Sequence, residues 1–151
     1  TLRKASIPPE QSVTKVITVE NKANYESMPY EEGTLIIYSH GYFSPDERAF
    51  LIHLERVLSS IRTSCGTTYL HTGDLDYGGV KIFQYIKKRI FPNLQPYLMD
   101  TQTHEQYKAY GEPIETSKLE KLQRTAEPLL QPLVDKICAE KQVIEQESFL
   151  F

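Results

Sequence analysis

At 151 residues, with 40% hydrophobic and 25% charged, the chain has the size and composition of one globular domain with one core. No apolar run is long enough to span a bilayer, and no signal peptide is visible in the polar start TLRKASIPPEQS, so a cytoplasmic protein without membrane contact is expected. The formal net charge of −3 argues against a domain that grips nucleic acid unaided, since such modules are usually basic.

The chain opens on Thr1, not Met, so residues 1–14 are expected to be a linker or the end of a missing N-terminal region, ahead of one domain over 15–151. Val16 to Glu20 is short and β-branched and predicts a first strand. Thr34 to Ser39 is a second apolar run. Ser44-Pro45-Asp46-Glu47 reads as a capping box with proline at the first helical position. Phe50, Leu51, Leu54, Val57, Leu58 and Ile61 follow at helical spacing. Thr67 to Leu75 begins as a third strand. A helix over Gly78 to Ile90 sets Val80, Phe83, Ile86 and Ile90 on one face and stops at Pro92 and Asn93. Leu94 to Met99 is a weaker strand, which Pro96 makes either an edge strand or an irregular one. The polar stretch Asp100 to Thr116 reads as loop. Ser117 and Glu120 suggest a second capping box for a helix to about Ala126. A last helix runs from Pro128 to about Lys141, and Pro132 either bends it or sets its true start.

Strands alternating with helices predict an α/β domain, with a mainly parallel central sheet and helices on both faces. Cys65 and Cys138 form no CxxC pair, so two reduced thiols are expected, without a zinc site or disulfide framework.

Function in open α/β sheets collects at the carboxyl ends of the strands. Glu20 closes the first strand, and Asp74 and Asp76 close the third within Gly73-Asp74-Leu75-Asp76-Tyr77-Gly78-Gly79. In extended chain, residues two apart point the same way, so both aspartates can face one site while Leu75 packs away. Clustered carboxylates need a cation to ionise together, and hard oxygen donors suit Mg²⁺ or Mn²⁺. Gly78 and Gly79 open the next helix, whose N-terminal amides are candidates for holding a phosphate. The bland alternative is that these acids merely terminate strands as turn formers.

The order of these motifs resembles the Toprim domain, a Rossmann-like fold shared by topoisomerases, primases and related nucleases. Three stretches carry a closer resemblance to the C-terminal domain of the JetD family, the nuclease subunits of Wadjet plasmid-defence systems. They are Val19-Glu20-Asn21-Lys22 with Ala23-Asn24-Tyr25, Gly73-Asp74-Leu75-Asp76 with its glycines and helix, and Ile144-Glu145-Gln146-Glu147. The likeness spans roughly residues 15 to 147. That family is itself similar to the A subunit of type VI topoisomerase. The resemblance implies a DNA endonuclease that uses a metal-activated water. Glu20 would be catalytic acid or base and metal ligand, and Asp74 and Asp76 metal ligands. Asn21 would orient Glu20 or touch substrate. It further implies double-stranded plasmid DNA as substrate, an SMC-type, condensin-like complex as partner, and a homodimer, because two strands need two sites. Tyr77 departs from a proline common in the family; it packs in the turn or stacks on the substrate. The topoisomerase nucleophile belongs to a preceding winged-helix domain, so none of the tyrosines here is assigned that role. Two alternatives stay open: a topoisomerase- or recombinase-like subunit using a tyrosine from such a domain, and a non-catalytic interaction module.

Other residues carry weaker signals. His40 caps a turn or contacts a phosphate. His71 packs on a core face. Lys81 is solvated or reaches a phosphate. Lys87-Lys88-Arg89 complements a helix dipole. Glu145 and Glu147 return to the acidic site as accessory acids or are plain solvated charges. Phe149, Leu150 and Phe151 look exposed and suit a partner contact. No GxxxxGK loop followed by Ser or Thr, no GxGxxG, no GxSxG and no HExxH is present, which leaves NTPases, dinucleotide enzymes, esterases and zinc hydrolases without their central motifs.

Overall fold

The computed structural model describes residues 12–61 and 66–151. Cys65 and most of the expected N-terminal linker lie outside that range. Cys138 is a free, half-buried thiol.

Four parallel strands form the central sheet in the order β2-β1-β3-β4. They are β1 (Lys15–Val19), β2 (Thr34–Tyr38), β3 (Thr68–Thr72) and β4 (Gln95–Pro96). The two inner strands, β1 and β3, are the more buried ones, and Val16, Ile17, Thr18 and Val19 of β1 are all buried. Parallel strands cannot be joined by tight hairpins, and here helices make the crossings. A short α1 (Lys22–Ser27) links β1 to β2, α2 (Pro45–Ser60) links β2 to β3, and α3 (Tyr77–Arg89) links β3 to β4. This is the α/β arrangement expected of a Toprim-like domain, a parallel sheet flanked by helices.

The Ser44 capping box is present in full. Its side chain accepts the Glu47 N–H, and the Glu47 carboxylate takes the Ser44 N–H at 2.7 Å. Leu51, Leu54 and Leu58 of α2 enter the core, as do Val80, Phe83, Ile86 and Ile90 at α3. Ile61, expected on that same α2 face, is 45% exposed because the helix has already ended.

Several expectations are corrected. The stretch read as loop contains α4 (Thr101–Tyr107), capped by Asp100, whose Oδ1 accepts the Thr103 N–H at 2.7 Å. Its polar sequence has no apolar period; its anchor is buried His104, whose Nε2 lies 3.0 Å from the Gln142 carbonyl. The same stretch supplies β5 (Glu112–Pro113), antiparallel to β6 (Gln142–Val143). The next helix, α5 (Thr116–Gln123), has Glu115 at its N-cap and makes no side-chain cap, so the Ser117–Glu120 box does not form. The last, α6 (Gln131–Glu140), starts at its proline: Pro132 sits in the first turn and does not bend it. β4 is only two residues long but lies at the sheet edge, where Pro96 suggested it would be. No helix of the described residues is long and apolar enough to cross a membrane.

Candidate metal centre

The β1–β3 register sets Val19 opposite Thr72, so Glu20 and Gly73 leave the sheet side by side at its carboxyl end. The Glu20 N–H still donates to the Thr72 carbonyl at 3.1 Å. The Glu20 side chain crosses to the neighbouring strand, where Oε2 accepts the Asp74 N–H at 3.1 Å. A Cβ on Gly73 would overlap Oε2 and crowd His71 Nε2. Glycine at 73 is therefore what lets the glutamate lie across the end of β3.

Beyond Gly73, the two aspartates flank Leu75, which is fully buried. Leu75 exchanges backbone hydrogen bonds with Ile144 at 2.9 and 3.2 Å, an antiparallel bridge that ties the C-terminal tail to the site. Asp74 Oδ1 accepts the Gln146 N–H at 2.7 Å. Asp76 is the N-cap of α3, and its Oδ1 accepts the Gly79 N–H at 2.7 Å. A Cβ on Gly79 would collide with the Asp74 carbonyl, so glycine lets the helix begin directly against the acidic loop. The Gly79 amide is thereby taken by Asp76, and the Val80 amide by the Asp76 carbonyl at 3.1 Å. Gly78 is exposed.

The carboxylates feel one another. Burial, then the charge of Asp74, pushes Glu20 up to about 8; Asp76 and Glu145 add to the rise, and the Asp74 amide opposes it. Burial also pushes Asp74 up to about 6, opposed by the Gln146 amide and helped by Asp76, Glu145 and Glu147. The tail thus brings Glu145 and Glu147 into the field of the site while both stay exposed.

The donor set is all carboxylate oxygen, the hard chemistry of Mg²⁺ or Mn²⁺. Glu20, Asp74 and Asp76 each place one oxygen on a backbone N–H, which leaves the second for a cation. A cation would also relieve the repulsion that favours the protonated forms of Glu20 and Asp74. As they stand, no three His, Cys, Asp or Glu side chains of the described residues are grouped closely enough to hold an ion. The donor chemistry of Glu20, Asp74 and Asp76 fits such an ion.

Among the other expected residues, Asn21 caps α1, its Oδ1 accepting the Asn24 N–H at 3.2 Å. His40 takes a positive φ of 41 and sets Nε2 3.2 Å from Glu47 Oε1. Its contacts are at the start of α2, which is the turn role. Lys81 lines a separate cleft along α3. His71 is wholly buried and held neutral, its pKa pushed down to about 3 by burial. Its Nδ1 lies 2.8 Å from Thr18 Oγ1, while Nε2 has no partner among the described residues. Phe149 is buried, contrary to expectation, whereas Leu150 is exposed and Phe151 stacks on Tyr97.

Gln146 was not foreseen as a site residue. It is fully buried between two exposed glutamates. Its side chain accepts the Asn21 N–H at 3.0 Å and donates to Thr72 Oγ1 at 3.0 Å. With its own amide on Asp74, it joins the ends of β1 and β3 to the acidic loop. The usable signal was the apolar frame of Ile144 and Phe149, which marks a docked tail.

Residues 3–151 match the family model described as Wadjet protein JetD, C-terminal. A curated relative, Wadjet protein JetD of Bacillus cereus (strain Q1), is 33% identical over 137 residues, covering 87% of this chain and 32% of the relative. The chain thus spans about a third of that relative's length. Both acidic motifs and the tail that docks on them fall inside the matched residues, and the chain belongs to the JetD C-terminal family.

Proposed function

We propose that this domain is the metal-dependent DNA endonuclease module of a Wadjet-type plasmid-defence protein. The observation that carries this reading is the meeting of Glu20 and Asp74 across adjacent strands, with Asp76 at the mouth of α3. Glu20, Asp74 and Asp76 would hold Mg²⁺ or Mn²⁺, with Glu145 and Glu147 as accessory acids. When bound, such an ion neutralises phosphate oxygens and makes a coordinated water nucleophilic at neutral pH. Glu20 Oε2 is held by the Asp74 amide, so Oε1 is the one oxygen left, either to meet the cation or to take and return a proton. Asp74 and Asp76 contribute charge at fixed positions. Gly78 N–H and Lys81 are the groups left for substrate phosphates. The family resemblance further supports double-stranded plasmid DNA as substrate, a homodimer of the whole protein, and an SMC-type, condensin-like partner.

Thermal unfolding with increasing Mn²⁺ tests the centre directly. A native-state ligand at a hundredfold excess over its Kd adds about 2.7 kcal/mol. Stabilisation should appear in the parent and vanish in Glu20→Gln and Asp76→Asn. Nicking or linearisation of closed-circular plasmid by the whole protein should depend on the same residues. A fully active Asp76→Asn enzyme would sink the assignment.

A further inference from the structure

The net charge of −3 and the carboxylates gathered around Glu20 make the acidic end a poor place to grip a polyanion. Positive charge collects elsewhere. From its Asp76 cap, α3 carries Lys81, Lys87, Lys88 and Arg89 into the lining of a cleft of about 630 Å³. Tyr42 and Tyr85 stand in the same lining, edge to face at 5.0 Å, with Tyr42 55% exposed. Among the described residues the single carboxylate there is Glu127, which is 9% exposed and accepts the Leu129 N–H at 3.3 Å. Lys87 is tied to the Pro92 carbonyl at 2.7 Å. Lys81, Lys88 and Arg89 form no ion pair among the described residues. The helix dipole accounts for cations in the last turn of α3. It gives no support to Lys81, near the positive end of the same helix.

We propose that this cleft binds the sugar–phosphate backbone of duplex DNA beside the acidic centre, with Lys81, Lys88 and Arg89 on phosphates and Tyr42 against a sugar or base. The inference rests on the reading of the domain as one that acts on DNA. A helical rise of about 1.5 Å per residue sets Lys81 roughly 7 Å and Arg89 roughly 20 Å along the axis from Asp76. For a duplex laid along α3, at about 3.4 Å per base pair, the cleft would meet backbone roughly two to six base pairs from the bond presented to the carboxylates. The cations thus supply the grip that the acidic end lacks.

Fluorescence anisotropy of a labelled DNA duplex, titrated with this chain in EDTA, reads the cleft without the metal centre. The parent should bind at low salt, with log K falling linearly against log salt. The combined Lys81→Gln, Lys88→Gln, Arg89→Gln variant should bind more weakly, its salt slope shallower by about 0.9 for each phosphate no longer neutralised. Lys81→Arg with Lys88→Arg should keep both affinity and slope. Arg56→Gln, on the exposed side of α2, should change neither. An unchanged triple variant, or a parent that does not bind at low salt, would overturn the proposal. So would displacement by polyglutamate as effective as by unlabelled duplex, which would assign the cleft to an acidic protein. Stabilisation by Mn²⁺ is measured separately, so its failure would sink the metal centre and leave the cleft result standing.

Discussion

Replacing Asp76 removes a charge and a helix cap together, because Oδ1 accepts the Gly79 N–H at 2.7 Å. Losing an aspartate cap to alanine costs about 0.5–2 kcal/mol, whereas asparagine caps as well as aspartate. Without metal, Asp76→Asn should therefore be more stable than Asp76→Ala by about 1 kcal/mol in urea unfolding. Equal midpoints would mean that the cap contributes nothing. Gln146 is the other residue whose loss should be felt at once. Gln146→Ala leaves the half-buried Asn21 amide and the buried Thr72 hydroxyl without their partner, which costs about 1–3 kcal/mol. A change within a few tenths would show that water replaces it. The three acids were legible as a candidate cluster because Glu20 follows the first strand directly and Asp74 and Asp76 lie just past the third, both at the carboxyl end of the sheet. Gln146 was not, because its partners at Asn21, Thr72 and Asp74 lie 125, 74 and 72 residues away. No local pattern encodes such pairings.

The elements divide in the same way. The amphipathic helices α2 and α3 are visible from their period, and the expected α3 core residues are all buried. Leu54→Ala on α2 should destabilise by about 2–5 kcal/mol, the usual cost of a core cavity. A loss below half a kcal/mol in denaturant unfolding would mean that this face does not pack on the sheet. α4 escaped notice because a side-chain cap and buried polar contacts hold it, not an apolar stripe. The failed Ser117–Glu120 box shows the converse: a local motif yields when the chain enters the helix earlier, at Glu115. The tail has no long element of its own. It is fixed by the Leu75–Ile144 bridge and by buried Phe149, with the Asn24 side chain donating to the Phe149 carbonyl at 3.0 Å.

At the scale of the whole molecule, the acidic centre and the buried histidine together shape stability against pH. Below pH 6.5 the unfolded chain takes a proton on His71 that the folded core refuses until about 3. That contribution is present above 6.5 and is lost as pH falls. Asp74 and Glu20 act in the opposite sense. Their folded values lie near 6 and 8, above the unfolded 3.8 and 4.5, so the native state keeps protons that the unfolded chain has released. Stability from these two falls as pH rises through those windows. Between pH 6.5 and 8 Glu20 is the shifted group still changing charge. Urea unfolding in EDTA should therefore show the parent losing stability across that interval, and Glu20→Gln holding nearly level. Saturating Mn²⁺ should remove the parent's decline, because a cation favours the ionised carboxylate that the cluster by itself disfavours. A decline that persists unchanged in Glu20→Gln would mean that Glu20 is already ionised in the folded domain. The cluster would then be too loose to need a metal ion.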